Sequence, residues 1–271
     1  MEGDSQIHRG PRRLAIISDV HGDLVALRRV IADVEAAGQF DEVLLGGDLA
    51  QGGPQPAEVI DFVRERHWQS VRGNADELLI RLADGASLEE AFRPAKDSHE
   101  PLPESVVSRA VWSSTQLGVD RVEYLRALPT SIVRGPFEFG SLVVVHATPW
   151  STEDVVLPDA DDAVLGRMLR EAKARVLLYG HIHTQYCRRV SHGAVASVGA
   201  VSGSNDADPR PGWAILTVGT TVTLEFRRVD WPEEERAVAY RAAGVENRYS
   251  QPAPGRFPVR SKPGVTIAVW P

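Results

Sequence analysis

The sequence LAIISDVHGD, residues 14–23, joins a run of branched apolar residues directly to a cluster of polar ones. Residues 14–20 are typical of a buried strand, and their apolar run is too short for a membrane span. Asp19 and His21 lie two apart, and on extended backbone residues with that spacing face the same side. The stretch therefore predicts a buried strand that ends in two side chains able to reach one site.

Strand and helix patterns alternate over the residues that follow. Apolar residues at helical spacing predict helices over residues 24–34 and 56–66, and strand patterns recur at residues 41–48 and 68–74. This order implies parallel strands joined by right-handed crossovers. In such sheets ligands bind beyond the carboxyl ends of the strands, where the polar residues lie.

The rest of the chain predicts a helical cap, a hairpin and a set of antiparallel strands. The predicted elements are a helical cap insertion over 75–130, a hairpin over 131–148, a helix over 162–172, a strand over 175–181, antiparallel strands over 184–231 and a helix over 232–244. We predict a flexible N-terminus at residues 1–13 and a single domain at residues 14–244. Residues 245–271 are rich in Pro and Gly and predict a tail that wraps the surface or is partly disordered.

The composition narrows the class of protein. The 271 residues carry a formal net charge of −7 and are 43% hydrophobic, which is enough apolar material for one large core. An acidic chain is a poor candidate for binding a nucleic-acid backbone, but a small phosphate ester depends only on the local field. The single cysteine, Cys187, excludes an intramolecular disulfide and fits a reducing compartment. We predict a cytoplasmic protein with no membrane partner; a homo-oligomer is left open.

Five short blocks place Asp, Asn or His directly after strand-like runs. The blocks are SDVHGD (18–23), GGDLAQGGP (46–54), RGNADE (72–77), VVVHATP (143–149) and YGHIHT (179–184). They supply seven candidate metal ligands: Asp19, His21, Asp48, Asn74, His146, His181 and His183. Oxygen and imidazole ligands suit Mn, Fe, Zn or Ni better than a metal that prefers thiolate.

In this order, the five blocks resemble the calcineurin-like metallophosphoesterase family, and its bacterial phosphodiesterase-like branch in particular. The resemblance spans roughly residues 14–230. It implies an α/β fold of the α+β variant, with a two-sheet β-sandwich core flanked by helices. It also implies two divalent metal ions, the first held by Asp19, His21 and His183.

The resemblance further implies that Asn74, His146 and His181 hold the second metal and that Asp48 bridges both. Two divalent ions bring four positive charges and the ligands only two negative ones, a surplus that favours a phosphate over a neutral substrate. The implied reaction is hydrolysis of a phosphodiester or phosphomonoester by a hydroxide bridging the two metals, in which Asp48, Asn74 and His146 take part.

Two departures from the family pattern bear on the substrate. Many relatives carry a histidine after the Gly-Asn asparagine, where this chain has Ala75. Either the substrate has a good leaving group, or another side chain such as His99 or His192 supplies the proton. The second block also lacks the Asp-Arg-Gly that protein serine/threonine phosphatases carry after Gly-Asp, which argues against that class.

Several alternatives remain from the sequence. One is a non-catalytic metal-binding interaction module of the same fold, and another is a nucleotide-polyphosphate hydrolase of the diadenosine tetraphosphatase type. A nuclease would require a basic groove, against which the overall acidity argues. Trp150 follows His146 closely enough to line a substrate pocket.

Overall fold

The computed structural model describes residues 11–92, 103–230, 232–245, 264 and 266–270. Its strands are β1 Arg12–Ile17, β2 Glu42–Leu45, β3 Gln69–Ser70, β4 Ser131–Phe137, β5 Gly140–Val145, β6 Val176–Tyr179, β7 Gln185–Val190, β8 Gly193–Val198, β9 Gly212–Val218, β10 Val222–Arg228 and β11 Thr266–Trp270. Its helices are α1 Leu24–Ala36, α2 Pro56–Glu65, α3 Asn74–Ala83, α4 Leu88–Ala91, α5 Glu104–Ala127, α6 Asp162–Ala172 and α7 Glu233–Ala243.

The strands form two mixed sheets. One has the order β11-β10-β9-β1-β2-β3 and the other the order β4-β5-β6-β8-β7. Strands β1, β2 and β3 run parallel, as do β5, β6 and β8, while the remaining pairs are antiparallel. The parallel strand pairing predicted from residues 14–74 is therefore confirmed. Strand β3 has only two residues, so the strand predicted over residues 68–74 is shorter than expected, and Asn74 is the first residue of helix α3.

The side chains of β1 show how the sheets are layered. Leu14 and Ile16 pack into an apolar core between the two sheets, with residues such as Val144 and Leu178 of the second sheet. Ala15 and Ile17, on the opposite face, join the core beneath the helices. This alternation follows from the two-residue period of a strand, and it makes β1 buried on both faces.

Helices cover both outer faces of the sandwich. Leu27 of α1, Val59 of α2, Leu79 of α3 and Leu125 of α5 share one buried cluster on the first sheet. Helix α6 contributes a separate cluster on the second sheet. The predicted two-sheet sandwich flanked by helices is confirmed.

Two regions add detail to the sequence prediction. The described part of residues 75–130 is helical, and α5 packs against α2 and α3 as part of the helical layer. Its role as a cap over a substrate stays a prediction. Within the predicted C-terminal tail, residues 266–270 form β11 and pair with β10 at the edge of the first sheet. Residues 1–10 lie outside the described residues.

Among the described helices, none is both long enough and apolar enough to cross a membrane.

Candidate metal centre

All seven predicted ligands lie at one edge of the sandwich, where the parallel strands of both sheets end. Asp19 and His21 follow β1, Asp48 follows β2 and Asn74 is the first residue of α3. From the second sheet, His146 follows β5, and His181 and His183 follow β6. The carboxyl ends of β1 and β2 thus face those of β5 and β6, so that side chains from both sheets converge.

The backbone at this edge is strained. Asp19, His21, Asp48, His181 and His183 all have positive φ, between 51° and 62°. They make up five of the seven non-glycine residues with positive φ in the described part of the chain. A left-handed conformation costs an L-residue about 1–2 kcal/mol, and such strain concentrates at functional sites.

Glycines before two of the blocks' ligands allow close approach of the backbone. A Cβ atom at Gly73 would overlap the carboxylate of Asp48, and one at Gly180 would overlap that of Asp19. These two glycines therefore make room for the carboxylates.

The first half of the centre consists of Asp19, His21 and His183. The Nε2 atoms of His21 and His183 are 3.0 Å apart, and Asp19 Oδ1 lies 3.2 Å from His183 Nε2. Asp19 is fully buried, and both its carboxylate oxygens accept the backbone N–H of His181 at 3.1 Å. The three side chains have the geometry of a candidate cation site.

The second half consists of Asn74, His146 and His181. Asn74 Oδ1 lies 2.9 Å from His146 Nε2 and 3.0 Å from His181 Nδ1. The two imidazole rings are 5.1 Å apart, centroid to centroid. The amide oxygen of Asn74 therefore faces one nitrogen of each ring.

Asp48 lies between the two halves. Its Oδ2 is 3.6 Å from His21 Nε2 and 3.5 Å from His146 Nε2. Its other oxygen, Oδ1, accepts the backbone N–H of Ala75 at 2.9 Å. Asp19 also approaches both halves, since with Asp48 and His146 it forms a second candidate cation group.

The other nitrogen of each histidine is bound to a backbone carbonyl. His21 Nδ1 lies 2.9 Å from Gln51 O, His183 Nδ1 2.6 Å from Gly203 O and His146 Nδ1 2.7 Å from Gly46 O. His181 Nε2 lies 3.2 Å from Glu153 O. A carbonyl oxygen only accepts, so each of these nitrogens carries the hydrogen. The remaining nitrogen of each neutral ring presents a lone pair to the centre.

These lone pairs face one another across the centre. Their arrangement shows whether the side chains fit a metal cation. Between His21 and His183, and between Asn74 and its two histidines, acceptor atoms lie about 3 Å apart with no hydrogen available from a neutral ring. Such contacts are repulsive unless a proton or a metal cation lies among them. Imidazoles whose second nitrogen donates to a carbonyl are also the usual form of metal-bound histidine. The donor set therefore fits divalent cations.

The pKa shifts of the four histidines also indicate that the centre favours positive charge. Burial opposes protonation of His183, but the neighbouring Asp19 carboxylate raises its pKa to about 9. Burial and the charge of His146 lower the pKa of His181 to about 4. Burial lowers the pKa of His21, whereas for His146 the carboxylates of Asp48 and Asp19 outweigh burial and raise the pKa. Each imidazole pair thus favours a single positive charge.

Asp76 is a functional residue that the sequence analysis missed. It is fully buried and accepts the backbone N–H groups of Asp48 (2.9 Å), Leu49 (2.9 Å) and Gly73 (3.0 Å). Burial and the nearby Asp48 raise its pKa to about 7. An acidic residue in the first turn after Gly73 is the signal that would have identified it as a capping residue.

Two other side chains named from the sequence, His192 and Trp150, do not join the centre. His192 lies in the turn between β7 and β8, at the opposite end of the second sheet, so its suggested role as a proton donor is wrong. Trp150 donates to Asp154 and stacks with Arg167 at 3.9 Å. His99 lies outside the described residues.

Comparison with known proteins agrees with this geometry. The family description "Calcineurin-like phosphoesterase" matches residues 12–185. An uncharacterised protein of Methanocaldococcus jannaschii, MJ0912, is 23% identical over 175 residues, which are 64% of this chain and 63% of that protein. This chain thus matches less than two thirds of the length of that relative.

Two solved structures share the fold. A metallophosphoesterase from Sphaerobacter thermophilus aligns with a TM-score of 0.66 and 24% identity, over 89% of this chain and 97% of that one. The hypothetical protein PH1004 from Pyrococcus horikoshii aligns with a TM-score of 0.73 and 17% identity, over 88% and 96%. Since the family match covers well over half of the residues and its range contains all seven converging side chains, this chain belongs to the calcineurin-like phosphoesterase family.

Proposed function

We propose that this protein is a phosphoester hydrolase that uses two divalent cations. The observation that carries the proposal is the set of facing lone pairs: four imidazoles, each with one nitrogen tied to a carbonyl, turn their other nitrogens toward each other and toward Asn74. A divalent cation in each half would replace the proton that one ring of each pair otherwise carries, and it would be shared by all the facing acceptors. Family membership supports the hydrolase chemistry.

In this proposal, Asp19, His21 and His183 would hold one cation, and Asn74, His146 and His181 would hold the other. Asp48 would contribute to both, because its Oδ2 lies at similar distances from His21 and His146. When bound, the two cations would activate water for attack on the ester and neutralise the charge that develops on the phosphate oxygens.

The protein's own groups orient this chemistry. The N–H of Ala75 holds Asp48 Oδ1, so that Oδ2 alone faces the centre. The four carbonyl acceptors fix which ring nitrogen each histidine presents, and hence the direction of its lone pair. Two carboxylates among seven ligands leave the loaded centre with net positive charge, which attracts an anionic ester.

A diester, or another substrate with a good leaving group, is the substrate we favour. Where many relatives supply a histidine, this chain has Ala75, whose side chain is buried. His67 and His192 are the described histidines outside the centre, and each lies at the amino-terminal end of a strand, away from the ligands. A substrate that needs little leaving-group protonation is consistent with this arrangement.

Chelation and reconstitution test the proposal. Protein freed of metal would be assayed with p-nitrophenyl phosphate, bis-p-nitrophenyl phosphate and diadenosine tetraphosphate, before and after addition of Mn²⁺, Ni²⁺, Zn²⁺ or Fe²⁺. We expect no turnover without metal and recovery with at least one ion, with the diester hydrolysed faster than the monoester.

The same substitution at two histidines provides the control. His183→Ala should abolish turnover, whereas His192→Ala should leave it unchanged, because His192 lies far from the centre. Turnover that survives chelation would exclude the mechanism. Full metal uptake with no turnover on any ester would favour the alternative, a metal-binding interaction module of the same fold.

A further inference from the structure

A loop after β8, residues 201–206, packs against the residues of the first half of the metal centre. The backbone N–H of Ser202 donates to Asp19 O at 3.1 Å, and Gly203 O accepts from His183 Nδ1 at 2.6 Å. Asn205 donates its backbone N–H to His183 O at 3.0 Å. The 201–206 loop thus contacts two of the three residues of the first half.

Arg228, at the end of β10, anchors the far end of this loop. Its guanidinium pairs with Asp206, donates to Ser204 Oγ at 3.2 Å and donates to Gln185 Oε1 at 2.8 Å. The Arg228 and Asp206 side chains are 2% and 1% exposed. The ion pair is therefore shielded from solvent, and the guanidinium ties three parts of the chain together.

Arg236, on α7, anchors the near end through Asp23. Asp23 Oδ2 accepts from Arg236 Nε at 2.5 Å and from Ser202 Oγ at 3.3 Å. Asp23 Oδ1 accepts the N–H of Ala26 and so caps helix α1, two residues after His21. Both members of this ion pair are fully buried.

We propose that Arg228 and Arg236 are positioning residues that set the cation affinity of the first half, acting through the 201–206 loop and Asp23. Both arginines and the loop lie beyond residues 12–185, the range that matches the family. The second half is held differently, since the contacts of His146 and His181 run to Gly46 and Glu153. The inference rests on the proposed function, because it assumes that each half binds a cation.

The physical reason lies in how buried charges fix a loop. Removing one member of a buried ion pair leaves the other charged and unsatisfied, so the surrounding backbone shifts to solvate it. A shift of Gly203 would change the tilt of the His183 ring, and a shift of Asp23 would move the turn that carries His21. Changes to groups that orient ligands typically weaken metal binding by about 10- to 100-fold.

The test measures Mn²⁺ affinity in proteins that keep a single half. His181→Ala impairs the second half and leaves the first, and His183→Ala does the reverse. Arg236→Met and Arg228→Met would be added to each background, and Mn²⁺ binding would be followed by calorimetry and by electron paramagnetic resonance of free Mn²⁺. We expect each arginine variant to weaken binding about 10- to 100-fold in the His181→Ala background and less than about 3-fold in the other.

Matched controls are available next to both arginines. Arg227 neighbours Arg228 but pairs with Asp33 and Glu225, and Arg241 is an exposed arginine on the same helix as Arg236. Arg227→Met and Arg241→Met should leave Mn²⁺ binding unchanged in both backgrounds. Arg236→Lys, which keeps the charge, should recover part of the affinity.

If Arg236→Met does not fold, the double variant Asp23→Asn/Arg236→Met replaces it. This variant removes both charges together and keeps an oxygen to cap α1. It should fold and still weaken the first half alone. Equal losses in both backgrounds, or no loss in either, would overturn the inference. Failure of the unsubstituted protein to bind Mn²⁺ would instead reject the proposed function.

Discussion

The two halves of the metal centre are built by different means. In the first half, buried ion pairs from the C-terminal part of the chain fix the loops around Asp19 and His183. In the second half, strand ends and the first turn of α3 carry the ligands, and backbone carbonyls orient them. A buried charge pair tolerates little displacement, whereas a carbonyl at the end of a loop can adjust.

The family match covers the predicted ligands of both halves but not the two arginines that support the first half. All seven predicted ligands lie within residues 12–185, while Arg228 and Arg236 lie after that range. A family pattern therefore identifies the ligands but not the groups that fix half of them. If the halves behave as separate units, substitutions should affect them unequally, except at Asp48, which faces both.

Substitution of Asp48 should have the largest effect, because this carboxylate faces both halves. We expect Asp48→Ala to bind neither cation tightly and to lose more than about 100-fold in turnover, beyond the usual loss for a group that only orients a ligand. Elemental analysis after dialysis and a turnover assay would measure this. An Asp48→Ala protein that kept two cations would contradict the bridging role and the division into halves.

The fold could be predicted from the sequence because its elements have recognisable local sequence patterns. The doubly buried β1 appears as an apolar run, and the amphipathic α1 and α2 as helical spacing. Pairing between strands that are not neighbours in the sequence is harder to predict. A hairpin predicts that β8 runs antiparallel to β7, but nothing local shows that β8 also lies parallel to β6.

That second pairing explains what the site prediction lacked. Because β8 runs parallel to β6, it ends at the same edge, and the 201–206 loop is placed behind His183. Ligands could be predicted because they follow strands in a familiar order. Arg228 and Arg236 could not, since a lone arginine on a strand or helix is usually solvated, and only the tertiary structure buries these two.

Loss of the Asp76 side chain should have an intermediate effect, concentrated in the second half. Asp76→Ala would leave the buried N–H groups of Asp48, Leu49 and Gly73 without their acceptor. We expect the free energy of unfolding to fall by about 2–4 kcal/mol, since each unsatisfied buried donor costs about 1–3 kcal/mol and partial relaxation recovers some of it. Urea denaturation of the metal-free protein would measure the loss.

The same variant sharpens the comparison between the halves. We expect Mn²⁺ affinity to fall about 10-fold when only the second half is intact, because Gly73 positions Asn74, and less when only the first half is intact. Asp76→Asn is the control, since it keeps one acceptor oxygen and should lose less stability. A larger loss in the first half would mean that Asp76 acts mainly through Asp48.

Introducing a histidine at position 75 should have the smallest effect and tests which half faces the leaving group. Ala75 follows Asn74 and is 5% exposed, so an imidazole there has little room and no prepared partner. We therefore expect Ala75→His to speed hydrolysis of poor alkyl leaving groups by about 10-fold or less, below the 10²–10⁴-fold of an established general acid. Rates with p-nitrophenyl esters should barely change, because that leaving group needs no proton. Ala75→Phe, which adds bulk without a proton, should help neither class, and an equal gain for both classes with Ala75→His would show that the residue after Asn74 does not reach the leaving group.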